Sequence, residues 1–190
     1  IDLGVEAKTD DTLIQTYLKT VTINSTGTLA NPQTGETANI ISGKLTAGSE
    51  AASTQNELLD VTINASQALS IVGGVDFSAV VNADEVATLT VNGTANVTIG
   101  GLNTQDEGVD GLNVVNNGTG TLTVGINAAN IDSTDALSFT GTGNIVLNVA
   151  GEVDLSNDDL SAVSAVSLAQ SAVVTLTIAQ ASEIGATHFS

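Results

Sequence analysis

The sequence predicts an all-β protein, a parallel β-solenoid whose coils are about 25 residues long, a length typical of stacked repeats. Three observations support this prediction: a repeated unit, a period-two alternation inside each unit, and a composition that suits a thin core. Repeats of roughly 20 to 50 residues indicate stacked units, because one unit cannot bury its apolar face alone. The core must be built from Val, Ile, Leu and Ala, since the chain has three Phe, one Tyr and no Trp or Met.

The repeated unit consists of a strand, a turn rich in Gly and Asn, a second strand and an acidic loop. It occurs two and a half times between Ala87 and Gly151. Apolar residues recur at near-constant intervals toward the ends of the second strands, at Ile71, Ile99, Val124, Val149 and Ile178. The first strands carry a parallel series at Ile63, Val91, Val115, Phe139 and Leu168. In both series the first and last intervals are longer than the two between them, as insertions in the connecting loops would produce.

Within the predicted strands, apolar residues alternate with Thr, Ser or Asn, as in Leu89-Thr90-Val91. This period places one side of each strand inward and the other toward solvent. An alternative architecture is a tandem antiparallel β-sandwich, in which Asn92-Gly93 closes a hairpin. The near-constant spacing favours the solenoid, because the strands of a sandwich need not resemble one another.

The regular rhythm begins at Leu58 and divides the chain into two regions. We predict an irregular N-terminal cap with the first coils over residues 1–57, and the repeat solenoid over residues 58–190. One segment, Leu160 to Ser182, has no charged residue. It exceeds the length of about 20 residues that a helix needs to cross a bilayer. Its polar and apolar residues alternate, so we interpret it as strands of a water-exposed domain.

The charge of the chain excludes several kinds of partner. Three Lys stand against 21 Asp and Glu, which gives a formal net charge of −18, and no Lys or Arg follows Lys44. Such a surface repels phosphate backbones and anionic lipid headgroups, so we expect neither nucleic-acid binding nor membrane insertion. Cations are the natural partners of this surface.

We also expect that the protein is not an enzyme. The chain has no Cys, and its one His, His188, lies near the end of the sequence. Thiol catalysis and a Ser-His-Asp triad therefore have no basis here. Paired carboxylates can hydrolyse glycosides, but the aromatic sugar platforms and cationic groups that usually accompany them are nearly missing.

Three segments near the end of the chain carry a family resemblance: Val153-Asp-Leu-Ser156, Leu160-Ser-Ala-Val-Ser-Ala-Val-Ser-Leu-Ala169 and Val174-Thr-Leu-Thr-Ile-Ala-Gln-Ala181. Together they resemble a unit of bacterial surface-layer proteins and large RTX-like secreted adhesins, and the resemblance covers about the second half of the chain. It implies an extracellular β-solenoid that binds Ca²⁺ and assembles on a cell surface. The Gly-Gly-x-Gly-x-Asp array of the RTX calcium roll is absent, so any Ca²⁺ must lie in individual acidic loops.

The acidic loops are the predicted calcium sites. Ca²⁺ takes six to eight oxygen ligands, which carboxylates, backbone carbonyls and Asn side chains can supply. Stacked loops would place like charges about 5 Å apart, and their repulsion, on the order of 1 kcal/mol in water, would be relieved by a divalent cation. The predicted ligands are Asp84, Asp106, Asp110, Asp132, Asp135, Asp154 and Asp158. The same acids would also suit a solvated rim that keeps the protein soluble.

The sequence therefore predicts a structural extracellular protein, a segment of a bacterial surface layer, filament or adhesin that Ca²⁺ assembles or rigidifies. The expected partner is a further copy of the chain in a lattice or filament, and a cell-surface glycan is a second. The alternatives are a non-enzymatic adhesin tip or carbohydrate-binding module, and a β-helix enzyme that acts on polysaccharides.

Overall fold

The computed structural model describes residues 20–27, 38–46, 60–78, 86–104, 111–131 and 136–190. Across these residues the chain winds into stacked turns, and each strand pairs in parallel with a strand of the neighbouring turn. The predicted parallel β-solenoid is confirmed. The antiparallel sandwich is wrong for the described ranges, because all the strand pairs within them are parallel.

The described strands form four sheets, and neighbouring strands within each sheet come from successive turns of the stack. Sheet 1 contains β1 (Thr20–Ser25), β4 (Asp60–Ala65), β7 (Val86–Gly93), β10 (Gly111–Asn116) and β12 (Ala136–Gly141). Sheet 2 contains β2 (Asn39–Ile41), β5 (Leu69–Ile71), β8 (Val97–Ile99), β11 (Leu122–Asn127), β13 (Ile145–Ala150) and β15 (Val163–Leu168). Sheet 3 contains β3 (Leu45–Thr46), β6 (Val75–Asp76) and β9 (Leu102–Asn103), and β14 (Glu152–Asp154) pairs with β16 (Val173–Thr175).

The period-two alternation produces these strands as the sequence predicts. β7 buries Ala87, Leu89 and Val91, and it turns Thr88 and Thr90 outward. β-branched residues suit the pleat on both sides, since their stiff side chains pack well against neighbours on adjacent strands. Each turn therefore adds a thin apolar layer to the layer below it.

The core is a stack of aliphatic side chains that runs through the turns. Ile71, Ile99, Val124, Leu147 and Val166 are consecutive neighbours in sheet 2, and each is at most 1% exposed. Full burial of one such side chain contributes about 1.5 to 3 kcal/mol. The continuity of this column is what joins successive turns into one rod.

The register predicted from the repeat is wrong at the later turns of sheet 2. Val149 pairs with Ile126, and the neighbour of Val124 in the next turn is Leu147. The cause is the length of the corners: residues 117–121 join β10 to β11, whereas the shorter segment 142–144 joins β12 to β13. A constant spacing along the sequence cannot reveal such a change.

Three further positions differ from the prediction. Val115 lies on the outer side of sheet 1, and Val114 takes the buried place. Leu168, predicted in a first strand, belongs to sheet 2, which consists otherwise of second strands, because the last turns are shorter than the earlier ones. Ile178, predicted as the last apolar residue of the second-strand series, lies at the start of a short helix and is 91% exposed.

The last turn ends in a short helix, α1 (Ile178–Ile184). The interpretation of residues 160–182 as strands is therefore wrong at its end. Thr177 caps the helix, since its side chain accepts a hydrogen bond from Gln180 N and the Gln180 side chain accepts one from Thr177 N, which forms a capping box. The same Gln180 side chain donates to the carbonyls of Leu155 and Asp158, both at 2.8 Å, and so fixes the helix to the preceding turn.

A 3-10 helix, Ala186–His188, follows α1, and Phe189 then forms a parallel bridge with Val166 at the edge of β15. Leu168 N also donates to the carbonyl of Ser190, at 2.7 Å. Within the described ranges, none of the helices has the length and apolar character that crossing a bilayer requires.

The predicted division of the chain after residue 57 stays a prediction. Residues 1–19, where the cap is expected, lie outside the described residues. β1, β2 and β3, from the same region, pair with β4, β5 and β6 of the next turn.

Candidate functional site

The acidic loops were the predicted metal sites, and two of their candidate ligands lie in the described part of the chain. Asp154 ends β14 and Asp158 follows it in the turn that leads to β15. The other predicted ligands, Asp84, Asp106, Asp110, Asp132 and Asp135, lie outside the described residues.

Asp154 serves the turn in which it lies. Its side chain is exposed, and Oδ1 accepts a hydrogen bond from Ser156 N at 3.0 Å. Hydrogen bonds from the side chain and backbone of Ser156 lower the pKa of Asp154. Asp159 has the same role further along the loop, where Oδ1 accepts from Ser161 N at 3.0 Å. Such Asx turns are the ordinary role of Asp in loops.

Asp158 is in a different environment. It is partly buried, and Oδ1 accepts a hydrogen bond from Leu137 N in the preceding turn, at 2.9 Å. Burial raises the pKa of Asp158, the charge of Asp154 raises it further, and the Leu137 hydrogen bond only partly opposes this. The ionised form of this carboxyl group is therefore disfavoured, and a proton or a bound cation would offset its charge.

The described residues contain no group of three or more His, Cys, Asp or Glu side chains arranged to hold a metal ion. Asp154 and Asp158 are near enough for their charges to interact. Both also accept backbone hydrogen bonds, Asp154 within its own loop and Asp158 from Leu137 in the preceding turn of the stack. The observed role of both side chains is therefore to hold the backbone around them.

A polar cluster on sheet 3 was missed by the sequence analysis. Asp76 is only 8% exposed, and its carboxylate accepts hydrogen bonds from Lys44 Nζ and from the backbone and hydroxyl of Ser78. Asn103 of the next turn donates to the same hydroxyl at 3.4 Å. Burial alone would raise the pKa of Asp76, but the bonds from Lys44 and Ser78 outweigh it and lower the pKa.

This cluster connects three successive turns through one buried carboxylate. The signal in the sequence is slight: Asp76 stands between the apolar residues Val75 and Phe77, both of which are buried. Lys44 lies 32 residues away, and nothing local in the sequence indicates that they meet. The fully bonded carboxylate fits a structural role better than a catalytic one.

The corner between sheets 1 and 2, which we term the asparagine corner, carries the second polar feature. At the ends of β1, β4 and β7, the side chains of Asn24, Asn64 and Asn92 form a ladder. Asn64 Nδ2 donates to Asn24 Oδ1 at 2.9 Å, and Asn92 Nδ2 donates to Asn64 Oδ1 at 3.1 Å. Each rung of the ladder joins one turn to the next.

One turn further, Asn116 is fully buried at the same corner. Its Nδ2 donates to the carbonyls of Gly120, at 3.0 Å, and Asn144, at 2.8 Å. Its Oδ1 accepts from Gly118 N at 3.1 Å. The side chain thus satisfies three backbone groups that the corner would otherwise bury unpaired.

The outer sides of the two large sheets are almost free of charge. Among the residues of the strands in sheets 1 and 2, Asp60 is the one charged residue. In sheet 1 the outward residues Thr22, Thr62, Thr90, Val115 and Thr140 lie side by side. In sheet 2 the corresponding residues are Ile40, Ser70, Thr98, Thr123, Val146 and Ala165.

No family model matches the chain, and no curated protein or solved structure is significantly similar to it. The arrangement of its residues is therefore the basis for a functional proposal. Its distinctive features are uncharged sheet faces, charged loops, and polar corners whose side chains are used for hydrogen bonds between turns.

Proposed function

We propose that this protein is a structural element of a bacterial cell surface, a segment of a surface layer, a filament or an adhesin. It acts outside the cell as a rigid rod that associates with further copies of itself. The resemblance of the second half of the chain to surface-layer proteins and RTX-like adhesins supports this proposal. The fold is consistent with it, since a stacked solenoid provides length and stiffness from a short repeat.

The observation that carries the proposal is the distribution of charge. The chain has a formal net charge of −18, yet the strands of sheets 1 and 2 contribute only Asp60 to it. Copies that meet through these sheets bring few like charges together, whereas copies that meet through the acidic loops repel one another. The sheets therefore supply the contact surface, and the loops keep the free rod in solution.

Calcium enters the proposal through the acidic loops. A divalent cation held by several carboxylates removes repulsion within the loop and lowers the net charge that opposes association. Asp158 supports this role, because its ionised form is disfavoured by burial and by Asp154. The remaining proposed ligands are those of the other acidic loops, Asp84, Asp106, Asp110, Asp132 and Asp135.

Electron microscopy and light scattering of the purified protein test the proposal. We expect filaments or sheets with millimolar Ca²⁺, and dispersed rods in a chelator. Millimolar Mg²⁺ is the control, since it prefers octahedral sites with several waters and suits such loops less well. Dispersed monomers with Ca²⁺ at both low and high ionic strength would contradict the structural role.

A matched pair of variants tests the contact surface. Thr90→Glu adds one negative charge to the outer side of sheet 1, and Ser182→Glu adds the same charge to an exposed position of α1, outside the strands of the two large sheets and outside the proposed calcium loops. We expect Thr90→Glu to prevent association and Ser182→Glu to leave it nearly unchanged, with both variants folded by circular dichroism. Equal association of the two variants would exclude sheet 1 as the contact.

A cell-surface glycan is the second partner that we propose. The outer side of sheet 1 presents a row of hydroxyl groups from Thr22, Thr62 and Thr90 on three neighbouring strands, and Thr140 adds another beyond Val115. Such a row can donate and accept hydrogen bonds with the hydroxyl groups of a polysaccharide. A glycan array tests binding, and cleavage of a bound glycan would instead favour the enzyme alternative.

A further inference from the structure

Five asparagines of the chain stand in the motif Asn-x-Ser/Thr with x other than Pro, at Asn24, Asn64, Asn92, Asn96 and Asn117. This motif is the acceptor sequence for N-linked glycans in exported proteins. All five lie at the asparagine corner, near the ends of β1, β4, β7 and β10 or just before β8. The corner has a similar sequence in several turns, so the motif can recur there for structural reasons. The motif alone therefore does not identify a modification site.

The fold accounts for four of the five asparagines. Asn24, Asn64 and Asn92 form the ladder, in which the amide nitrogens of Asn64 and Asn92 are both used as donors. Asn96 accepts a hydrogen bond from Thr121 N through Oδ1, at 2.9 Å. These side chains have a structural reason to be asparagine.

At Asn117 the fold gives no structural reason for asparagine. Its backbone N–H donates to Val91 O at 2.9 Å, but its exposed side chain makes no hydrogen bond to the described residues. The neighbouring Asn116 makes the buried bonds that this corner needs. A surface asparagine that the fold does not use is free to react.

The two residues after Asn117 complete an acceptor site on the surface. Gly118 is buried, and a Cβ at this position would lie 2.5 Å from Gly93 O, so the packing requires glycine there. Thr119 is exposed, and its backbone N–H donates to Gly93 O at 2.8 Å. Gly118, the central residue of the motif, is thus packed into the corner, whereas the amide of Asn117 and the hydroxyl of Thr119 lie at the surface.

We propose that Asn117 is the site of an N-linked glycan, an inference that rests on the proposed extracellular location. The Asn117 amide nitrogen attacks the anomeric carbon of a sugar that is activated by linkage to phosphate. An N–C bond forms, the bond between the anomeric carbon and the phosphate oxygen breaks, the phosphate leaves, and a base of the transferase takes the amide proton. The glycan would project from a corner, which leaves the outer sides of sheets 1 and 2 free for contacts.

Mass spectrometry of the protein purified from the cells that make it tests the inference. We expect a sugar on the peptide that contains Asn117, located by electron-transfer fragmentation, and no sugar on Asn64 or Asn92. Thr119→Ser keeps the motif and should keep the modification, whereas Thr119→Ala and Asn117→Gln should abolish it. Asn96→Gln is the matched control and should retain the sugar on Asn117.

An unmodified Asn117 peptide would overturn the inference, and so would a peptide that carries only the mass change of deamidation at Asn117-Gly118. Retention of the sugar in Thr119→Ala would overturn it as well. Cell fractionation separates this result from the fate of the proposed function. An unmodified protein at the cell surface rejects the glycan alone, and an unmodified protein in the cytoplasm rejects both.

Discussion

Val124 and Leu147 are direct neighbours on adjacent strands of sheet 2, and both are fully buried. Val149, which the repeat spacing would place beside Val124, pairs with Ile126 instead. The register of the stack can therefore be tested by energetic coupling between side chains.

We expect Leu147→Ala to lower the free energy of unfolding by about 2 to 4 kcal/mol, because a large core side chain is replaced by a cavity. In a double-mutant cycle, Val124→Ala and Leu147→Ala should show a coupling energy of about 0.5 kcal/mol or more, since the two residues share a cavity. The pair Val124→Ala and Val149→Ala should couple less. Denaturant unfolding measures all the variants, and a larger coupling for the second pair would contradict the register.

The alternation of residue types predicted the strands well where apolar and polar residues alternate strictly. In β7 it correctly placed Leu89 and Val91 in the core. In β10 the alternation does not show whether Val114 or Val115 faces the core. Val114 faces it, because it pairs with the buried Leu89 and Phe139 of the neighbouring strands. Periodicity is a property of one strand, whereas register depends on the lengths of the corners between strands.

The candidate site was predictable only in part for a similar reason. Asp154 and Asp158 follow a strand in a polar turn, so local sequence identifies them as loop acids. The bond between Lys44 and Asp76 joins residues in different turns, and no local pattern records it. The capping box of Thr177 and Gln180 is a local signal of a helix, but it follows a Thr-rich strand pattern that obscured it.

Corner glycines provide the second prediction. Gly93 has φ +108, and a Cβ there would lie 2.1 Å from Ala65 O in the previous turn. Gly27 has a similar φ of +111 but open space around it, and Gly101 has open space and an ordinary φ. We expect Gly93→Ala to cost more than about 3 kcal/mol, Gly27→Ala about 1 to 2 kcal/mol from backbone strain alone, and Gly101→Ala within about 0.5 kcal/mol of zero.

Thermal unfolding of these three variants separates contact between turns from backbone strain. If Gly93→Ala and Gly27→Ala cost the same, close approach of the turns would not be the reason for glycine at residue 93.

The third prediction concerns the carboxylate of Asp76. We expect Asp76→Ala to lower the free energy of unfolding by about 1 to 3 kcal/mol, because Ser78 N and Lys44 lose a buried partner. Lys44→Met should cost less, since the Lys44 side chain is 46% exposed and water can replace part of the ion pair.

The pH dependence follows from the lowered pKa of Asp76. The unfolded chain binds the proton more readily than the folded protein, so the stabilising contribution is complete above about pH 4 and is lost as the pH falls through the folded pKa. The difference in stability between the natural protein and Asp76→Asn should therefore shrink in acid. A difference that stays constant from neutral pH to about pH 2 would exclude this carboxylate as its source.

Asp158 should show the opposite behaviour. Its pKa is raised by burial and by Asp154, so the folded protein holds the proton more tightly than the unfolded chain. The stability contributed by this residue should fall as the pH rises from about 4 through the raised pKa. Asp158→Asn keeps an oxygen that can accept from Leu137 N and removes the repulsion, so we expect it to stabilise the protein by a few tenths of a kcal/mol to about 1 kcal/mol at pH 7 in a chelator.

Asp158→Ala is the control for that prediction, because it leaves Leu137 N without its acceptor and should destabilise the protein by about 1 kcal/mol or more. Melting curves in a chelator and with millimolar Ca²⁺ then test whether Asp158 binds the metal. If it does, Asp158→Asn gains stability in the chelator and loses the shift that Ca²⁺ produces in the natural protein, because a ligand that binds the folded state raises the melting temperature. An equal shift in both proteins would remove Asp158 from the set of calcium ligands and leave that role to the other acidic loops.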